Sequence, residues 1–96
     1  MDNIHWSDLA KEDYWKNIDY LIEEWTVDAA ANFIAKVDEY LNIISKNPKT
    51  FSPTKYKKTH SVPVIPQITL FYRINKKNIE LVRFWNNSKD PNSFHF

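Results

Sequence analysis

The chain of 96 residues contains no glycine, no cysteine and no long apolar run. Without cysteine it can form neither disulfides nor thiolate metal sites. Without glycine, backbone positions that require a positive φ fall to other residue types, and we expect asparagine or aspartate at them, with asparagines standing where turns are expected. No apolar stretch approaches the ~20 residues that a membrane helix needs, and the acidic N-terminus lacks the apolar segment of an export signal. We therefore expect a cytoplasmic location and no membrane partner.

Charge is nearly balanced overall, at a formal +1, but it is distributed unevenly along the chain. Residues 1–40 carry six Asp, four Glu and three Lys, whereas residues 41–96 carry eight Lys, two Arg, one Asp and one Glu. The basic half suits an acidic partner or a phosphate backbone, although solvated lysines are the commoner explanation. A chain of this length supports one hydrophobic core, so we predict a single domain spanning residues 1–96.

The later part of the chain predicts an antiparallel β-hairpin. Two β-rich runs, 68–74 and 79–85, are joined by the turn-forming residues 75–78. With Ile74 opposite Ile79 and the pairing continued without interruption, one surface is mostly apolar and is expected to lie under helices. That surface consists of Ile68, Leu70, Tyr72, Ile74, Ile79, Leu81, Arg83 and Trp85. The opposite surface, expected to meet a partner or ligand, consists of Thr69, Phe71, Arg73, Glu80, Val82 and Phe84.

Two amphipathic helices precede the hairpin. Apolar periodicity predicts them over about 8–25 and 27–45, with Ser7 and Thr26 as their N-caps. Helices joined by so short a link are antiparallel neighbours, and their apolar faces need a further surface, which a sheet supplies. The expected class is α+β, a helical hairpin packed on a mostly antiparallel sheet, with strands also at 3–6 and 57–62. Expected core residues are Ile18, Leu21, Ile34, Val37 and Leu41.

Residue spacing alone gives no catalytic signature. The three histidines, His5, His60 and His95, lie far apart and lack metal-binding spacing, so we expect neither a metal nor a cofactor. Basic and aromatic residues of the β half could gather on the sheet and bind phosphates. These residues are Lys55, Tyr56, Lys57, Lys58, His60, Arg73 and Arg83. Solvated strand ends explain the same pattern about as well.

Several segments, taken together, resemble a known family. They are IHWS, a first helix ending near EEW, the alanine-led run AAANFIAKVDEYLNIISKNPKTF, the basic KYKKTH, then LFYRINKKNIELVRFW and NNSKDP. In this order the chain resembles the RelE/ParE superfamily of toxins from type II toxin–antitoxin systems, often called plasmid stabilization proteins. Phe84, Trp85, Asp90 and Pro91 match the ending of many ParE-like members. Ser88 stands where those members commonly have Arg, and Lys89 follows it.

The resemblance implies a toxin that inhibits growth by binding a cellular target, with DNA gyrase as one candidate. The main rival is a RelE-like ribosome-dependent mRNA endoribonuclease, in which Lys57, Lys58 and Arg83 would be the counterparts of the catalytic strand residues. RelE-type members also use a late Arg and a Tyr near the C-terminus; here the Arg is missing, and Phe94 has no phenol to exchange a proton. We therefore favour binding in the ParE manner over an enzyme. A third reading is an inactive relative that only binds antitoxin.

The resemblance also implies a cognate antitoxin, whose segment would lie across the domain as a helix, a strand or both. The predicted apolar contacts are Phe71, Val82 and Phe84, and the predicted charged contacts are Lys57, Lys58, Arg73, Arg83 and Lys89. Burial of the apolar side chains would give the complex its affinity, and the charged side chains would speed and orient the association of the antitoxin. Alternatively, the C-terminal tail could cover the same apolar surface through Phe94 and Phe96. Whether the chain forms a homo-oligomer is left open.

Overall fold

The computed structural model of the protein describes residues 3–88, which form two helices packed on a four-stranded sheet. In chain order the elements are β1 (Ile4–Trp6), α1 (Asp8–Glu24), α2 (Val27–Lys46), β2 (Thr59–Ile65), β3 (Ile68–Asn75) and β4 (Asn78–Asn86). The strand order is β1-β4-β3-β2; β1 is parallel to β4 and the other pairs are antiparallel. The predicted α+β class is confirmed. None of the helices between residues 3 and 88 has the length and apolar character to cross a membrane.

Both predicted helix starts are confirmed. The Ser7 side chain accepts a hydrogen bond from the Ala10 N–H at 3.0 Å, and the Thr26 side chain accepts one from the Ala29 N–H at 2.9 Å. Each bond satisfies a donor that the first turn of a helix leaves without a backbone partner. Two adjacent caps therefore let α2 begin almost at once after α1 ends, which makes the two helices a tight hairpin.

The hydrophobic core lies between the helical hairpin and one face of the sheet. Four of the five predicted core residues, Ile18, Leu21, Val37 and Leu41, are buried there. The fifth is wrong: Ile34 is 39% exposed, whereas its neighbour Phe33 is fully buried. The buried positions of α2 are Ala30, Phe33, Val37, Leu41 and Ile44. This stripe is narrower than the apolar sequence pattern, and Ile34 lies at its solvent border.

The hairpin register is correct at the tip and wrong beyond it. Ile74 pairs with Ile79 and Tyr72 with Leu81, as predicted. A β-bulge then inserts one extra residue into β4, so that Phe71 faces Arg83. Because side chains alternate between the faces of a strand, one inserted residue exchanges the faces of everything that follows. Phe84 consequently enters the core beneath the helices, and Arg83 and Trp85 do not lie on the surface predicted for them.

Two further expectations about the backbone are wrong. β2 begins at Thr59 rather than residue 57 and continues through Pro63, which an edge strand tolerates because one row of its N–H groups has no strand partner. The positive φ angles among residues 3–88 fall on lysines, not asparagines: Lys57 at 42°, Lys58 at 60° and Lys76 at 59°. Each lysine lies in a turn, where chain direction overrides its intrinsic preference.

Candidate functional site

Along one edge of β4, backbone carbonyls accept hydrogen bonds from α1 and its N-cap residue rather than from a neighbouring strand. β1 pairs with β4 only as far as Leu81, where the Ser7 N–H donates to the Leu81 carbonyl at 3.0 Å. The Ser7 hydroxyl then donates to the Val82 carbonyl at 3.0 Å, and the Asn17 amide donates to the Phe84 carbonyl at 2.9 Å. Polar side chains of α1 thus take the place of a neighbouring strand along the second half of β4.

Arg83 completes this arrangement through a buried ion pair with Asp13. Its Nε and Nη2 donate to the Asp13 carboxylate at 2.6 and 2.9 Å, and the same carboxylate accepts the Phe84 N–H at 3.1 Å. The hydrogen bond with Asp13 raises the pKa of the Arg83 guanidinium further above its ordinary value. The guanidinium carbon also lies 5.5 Å from the Trp85 ring centre. Only 7% of Arg83 is exposed. Its predicted place among surface contacts is therefore corrected, because the guanidinium is enclosed within the fold.

The predicted apolar contact surface is also corrected. Phe84 is 1% exposed and lies in an aromatic cluster with Trp6, Tyr14 and Phe33, at ring-centre distances of 5.4, 5.8 and 6.1 Å. Phe71 and Val82 pack with Trp85 in a second, smaller cluster and are buried as well. These side chains offer a partner little apolar area in this conformation.

Exposed apolar area lies instead on the helical hairpin. Trp15 is 64% exposed and Val27 is 68% exposed, and Ile22 and Ile34 follow them at a spacing of seven residues on α1 and α2. Such spacing keeps each pair on one side of its helix. Tyr14, next to Trp15, contacts Phe33, next to Ile34, at 5.6 Å between ring centres. Trp15 and Ile34 are thus the sequence neighbours of a pair that joins the two helices. We call the four exposed residues the hairpin stripe.

A tightly bonded turn carries Lys57 and Lys58 into β2. The Thr54 and Thr59 hydroxyls are 2.6 Å apart, and the Thr59 hydroxyl also donates to the Tyr56 carbonyl at 2.7 Å. From β3, the Arg73 Nε donates to the Lys57 carbonyl at 3.0 Å, while its Nη1 pairs with Glu80 at 2.8 Å. Arg73 thus supports the turn. These bonds hold both lysines at positive φ while their side chains remain exposed.

The β3–β4 turn lies at the same end of the sheet. Thr59 pairs with Arg73, two residues before the end of β3, and Asn75 pairs with Asn78 across the two-residue loop Lys76-Lys77. The Asn3 amide donates to the Lys77 carbonyl at 3.2 Å, which ties β1 to this loop. Five exposed lysines meet here, and we call them the lysine end: Lys55, Lys57, Lys58, Lys76 and Lys77. Lys89, Asp90, Pro91, Phe94, His95 and Phe96 lie outside the described residues.

The described histidines and acids form no metal-binding group. Within residues 3–88 there is no group of three or more His, Asp or Glu side chains that could hold a metal ion. His60 stacks on Tyr72 with ring centres 5.4 Å apart, and its Nδ1 is buried without a hydrogen-bond partner in the described part of the chain. Tyr72 donates its hydroxyl proton to the Pro48 carbonyl at 2.7 Å, and burial raises its pKa to about 12. These groups tie elements together within the fold.

Comparison with known proteins decides the family. The model of the family described as the ParE toxin of the type II toxin–antitoxin system parDE matches residues 4–91. The chain belongs to this family. Ten solved chains match its fold. One is from a structure titled as a chromosomal ParDE system of P. aeruginosa, with a TM-score of 0.72 and 14% sequence identity, covering 88% of this chain and 94% of that one. At that identity the similarity shows the shared fold alone. A search of curated proteins finds no significant match.

In this ParE-family chain, Lys57 and Lys58 lie in the turn before β2 rather than on the strand predicted for them, and the role of α1 was not predicted. Lys57 and Lys58 are exposed, as a surface contact requires. Asp13 and Asn17, by contrast, were not among the predicted site residues. Their signal was available: the two polar residues are four positions apart among the apolar residues Ala10, Tyr14 and Ile18. Polar residues within an apolar stripe have to find buried partners.

Proposed function

We propose that this ParE-family toxin arrests growth by binding a cellular target and does not cleave RNA. The observation that carries this proposal is the enclosure of Arg83, bonded twice by Asp13 and 7% exposed. A strand arginine that stabilised a cleaving phosphate would have to reach it, and truncating either member of such a buried pair would destabilise the fold. DNA gyrase is the candidate target that membership of the ParE family favours.

The remaining basic residues support binding better than catalysis. Arg73 is engaged with the Lys57 carbonyl and with Glu80, and Lys57 and Lys58 extend from a turn into solvent. RNA cleavage requires an acid and a base held within hydrogen-bonding distance of the reacting oxygens. Glu80, the described acid on the neighbouring strands, is already paired with Arg73 at 2.8 Å. Exposed lysines can nevertheless attract and orient a partner, which a target-binding toxin requires.

Induction of the toxin, with two readouts, tests this proposal. We expect growth arrest, inhibition of DNA supercoiling by gyrase, and no codon-specific cuts in primer extension on translating ribosomes. The Lys57→Ala/Lys58→Ala variant should weaken the arrest while remaining folded. Codon-specific cuts that disappear in this variant would establish the RelE-like endoribonuclease instead. Growth that continues normally during confirmed expression would favour an inactive relative that retains only antitoxin binding.

We further propose that a cognate antitoxin neutralises the toxin by covering the hairpin stripe. Phe71, Val82 and Phe84 are buried, whereas the four apolar side chains of the stripe are exposed. Exposed apolar groups that adjoin one another mark interaction surfaces, and an amphipathic helix fits the junction between two helices. Lys57 and Lys58 would add electrostatic attraction for acidic residues elsewhere in the antitoxin.

Two isoleucines of α2 provide a matched test. Ile34 and Ile43 are similarly exposed, at 39% and 36%, but only Ile34 belongs to the stripe. Ile34→Ser should weaken binding of the neighbouring gene product by tenfold or more, and Ile43→Ser should leave it unchanged. Equal effects of the two substitutions, measured by titration of the copurified antitoxin, would place the contact elsewhere.

A further inference from the structure

We propose that the lysine end is a binding site for the phosphodiester backbone of nucleic acid, which would make this toxin a nucleic-acid-binding protein in its own right. The inference goes beyond the proposed function, because it assigns a ligand to one end of the sheet whichever protein target the toxin has. The lysine end consists of two turns that the pairing of β2, β3 and β4 places side by side at one end of the sheet. Its charge, its spacing and its composition each support the assignment.

The charged side chains of the two described turns, 54–58 and 75–78, are all lysines. Between residues 40 and 88, Glu80 is the only acidic residue, and its carboxylate is paired with Arg73 at 2.8 Å. The five lysines therefore have no acidic neighbour of their own on these strands. Like charges this close repel one another unless an anion lies between them, and an extended polyanion neutralises several of them at once.

The spacing of the two turns suits a phosphate backbone. Adjacent strands lie about 4.8 Å apart, so the turn that leads into β2 and the loop that leads into β4 are separated by roughly 10 Å across β3. Each strand of duplex DNA carries one phosphate per about 3.4 Å of helix axis. The two turns thus span about three successive nucleotides, and the flexible lysine side chains can reach separate phosphates.

Composition favours nucleic acid over an acidic protein as the ligand that is bound directly at this end, while the same lysines can still attract an antitoxin that binds elsewhere. The exposed residues of the two turns are lysines, asparagines and Tyr56, with no aliphatic side chain among them. Lysine is depleted from protein–protein interfaces, which need a desolvated apolar or aromatic centre. Protein–nucleic acid interfaces are polar and strongly positive, and asparagine and backbone N–H groups commonly bond phosphates in them.

The backbone supplies a second reason to regard these lysines as selected for charge. Lys57, Lys58 and Lys76 all have positive φ, a conformation that non-glycine side chains disfavour. Asparagine tolerates this region better and is abundant nearby, at Asn75 and Asn78. Lysine at three such positions lowers the stability of the fold, and none of the three side chains makes a described hydrogen bond in return. We therefore infer that lysine occupies these positions for its positive charge.

Fluorescence anisotropy with the full chain tests the proposal. The probes are a labelled 20-base-pair DNA duplex and a labelled single-stranded RNA of equal length, titrated between 50 and 200 mM salt. If four lysines each neutralise one phosphate, the slope of log K against log salt is about −3.6 for the duplex. Preference between the two probes identifies the source of the backbone. No binding of either probe at 50 mM salt would overturn the proposal.

Charge-reversal variants locate the site. Lys58→Glu/Lys77→Glu removes one lysine from each turn and should reduce the duplex slope to about −1.8 and the affinity at 0.1 M salt roughly 60-fold. Lys55→Glu/Lys76→Glu is a second, independent pair. The control, Lys11→Glu/Lys36→Glu, changes net charge equally but lies on the helices and should leave the slope near −3.6. An unchanged slope in both test variants, or poly-glutamate competing as strongly as DNA, would contradict the assignment.

Discussion

Removing Asp13 should destabilise the protein more than removing any exposed carboxylate. Its side chain bonds Arg83 twice and the Phe84 N–H once, all within a buried site. Asp13→Ala removes the carboxylate that both the buried guanidinium and a backbone N–H bond, which costs about 3–5 kcal/mol. A domain of this size is stable by about 5–15 kcal/mol in total, so this single change approaches global unfolding.

The second substitution should partly rescue the first. Asp13→Ala/Arg83→Met also removes the buried guanidinium charge that Asp13 neutralises. The double variant should therefore be more stable than Asp13→Ala alone, with a coupling energy of about 1–3 kcal/mol. Glu80→Gln is the matched control, because its partner Arg73 is partly exposed, and it should cost less than about 1 kcal/mol. Urea denaturation, followed by tryptophan fluorescence, measures all three. Equal losses for Asp13→Ala and Glu80→Gln would refute the claim that the pair is part of the core.

Three further substitutions follow from burial and backbone geometry. Phe33→Ala should cost about 3–5 kcal/mol in urea denaturation while Ile34→Ala costs under ~1, since only Phe33 is enclosed; the reverse order would contradict the packing. Tyr72→Phe should remove a pH dependence of stability. The pKa of Tyr72 is about 12 in the folded protein and near 10 in the unfolded chain, so the wild type loses up to ~1.4 kcal/mol of stability per pH unit as the pH rises from 10 to 12, and the variant does not. Lys58→Gly should leave thermal stability unchanged or raise it by up to ~1 kcal/mol, and a clear fall would show that Lys58 is not strained.

The elements of this fold could be predicted because their signals are local. Ser7 and Thr26 are strong N-caps at the ends of apolar periodic runs, and Asn75 to Asn78 marks a turn between β-rich segments. The parallel pairing of β1 with β4 could not be predicted in this way. It depends on which strand edge remains available after the hairpin has formed, and that is a property of the assembled sheet.

The candidate site was predicted less well, and the bulge in β4 explains most of the difference. Continuous pairing from the tip places Phe84 on an open surface, and one extra residue moves it into the core. Nothing in the residue types of this stretch requires a bulge. The bulge is determined by two tertiary contacts, the ion pair of Arg83 with Asp13 and the packing of Phe84 in the aromatic cluster. Asp13 and Tyr14 come from α1, about 70 residues away, and the other two rings of the cluster come from β1 and α2. Lys57 and Lys58, whose exposure depends on charge and a turn, were placed correctly on the surface.

The position of β4 between β1 and β3 makes the order of assembly during folding unusual. The first strand of the chain pairs only with β4, the last described strand, and the first helix packs on β4 as well as on α2. The bond from Ser7 to Val82 spans 75 residues. Closing a flexible loop of that length costs about 4 kcal/mol in chain entropy beyond a constant, before any contact compensates for it. In a nascent chain that ends before β4, Asp13 and Asn17 therefore lack the β4 groups that they bond in the folded protein. We expect the toxin to acquire its native structure only after β4 has been synthesised.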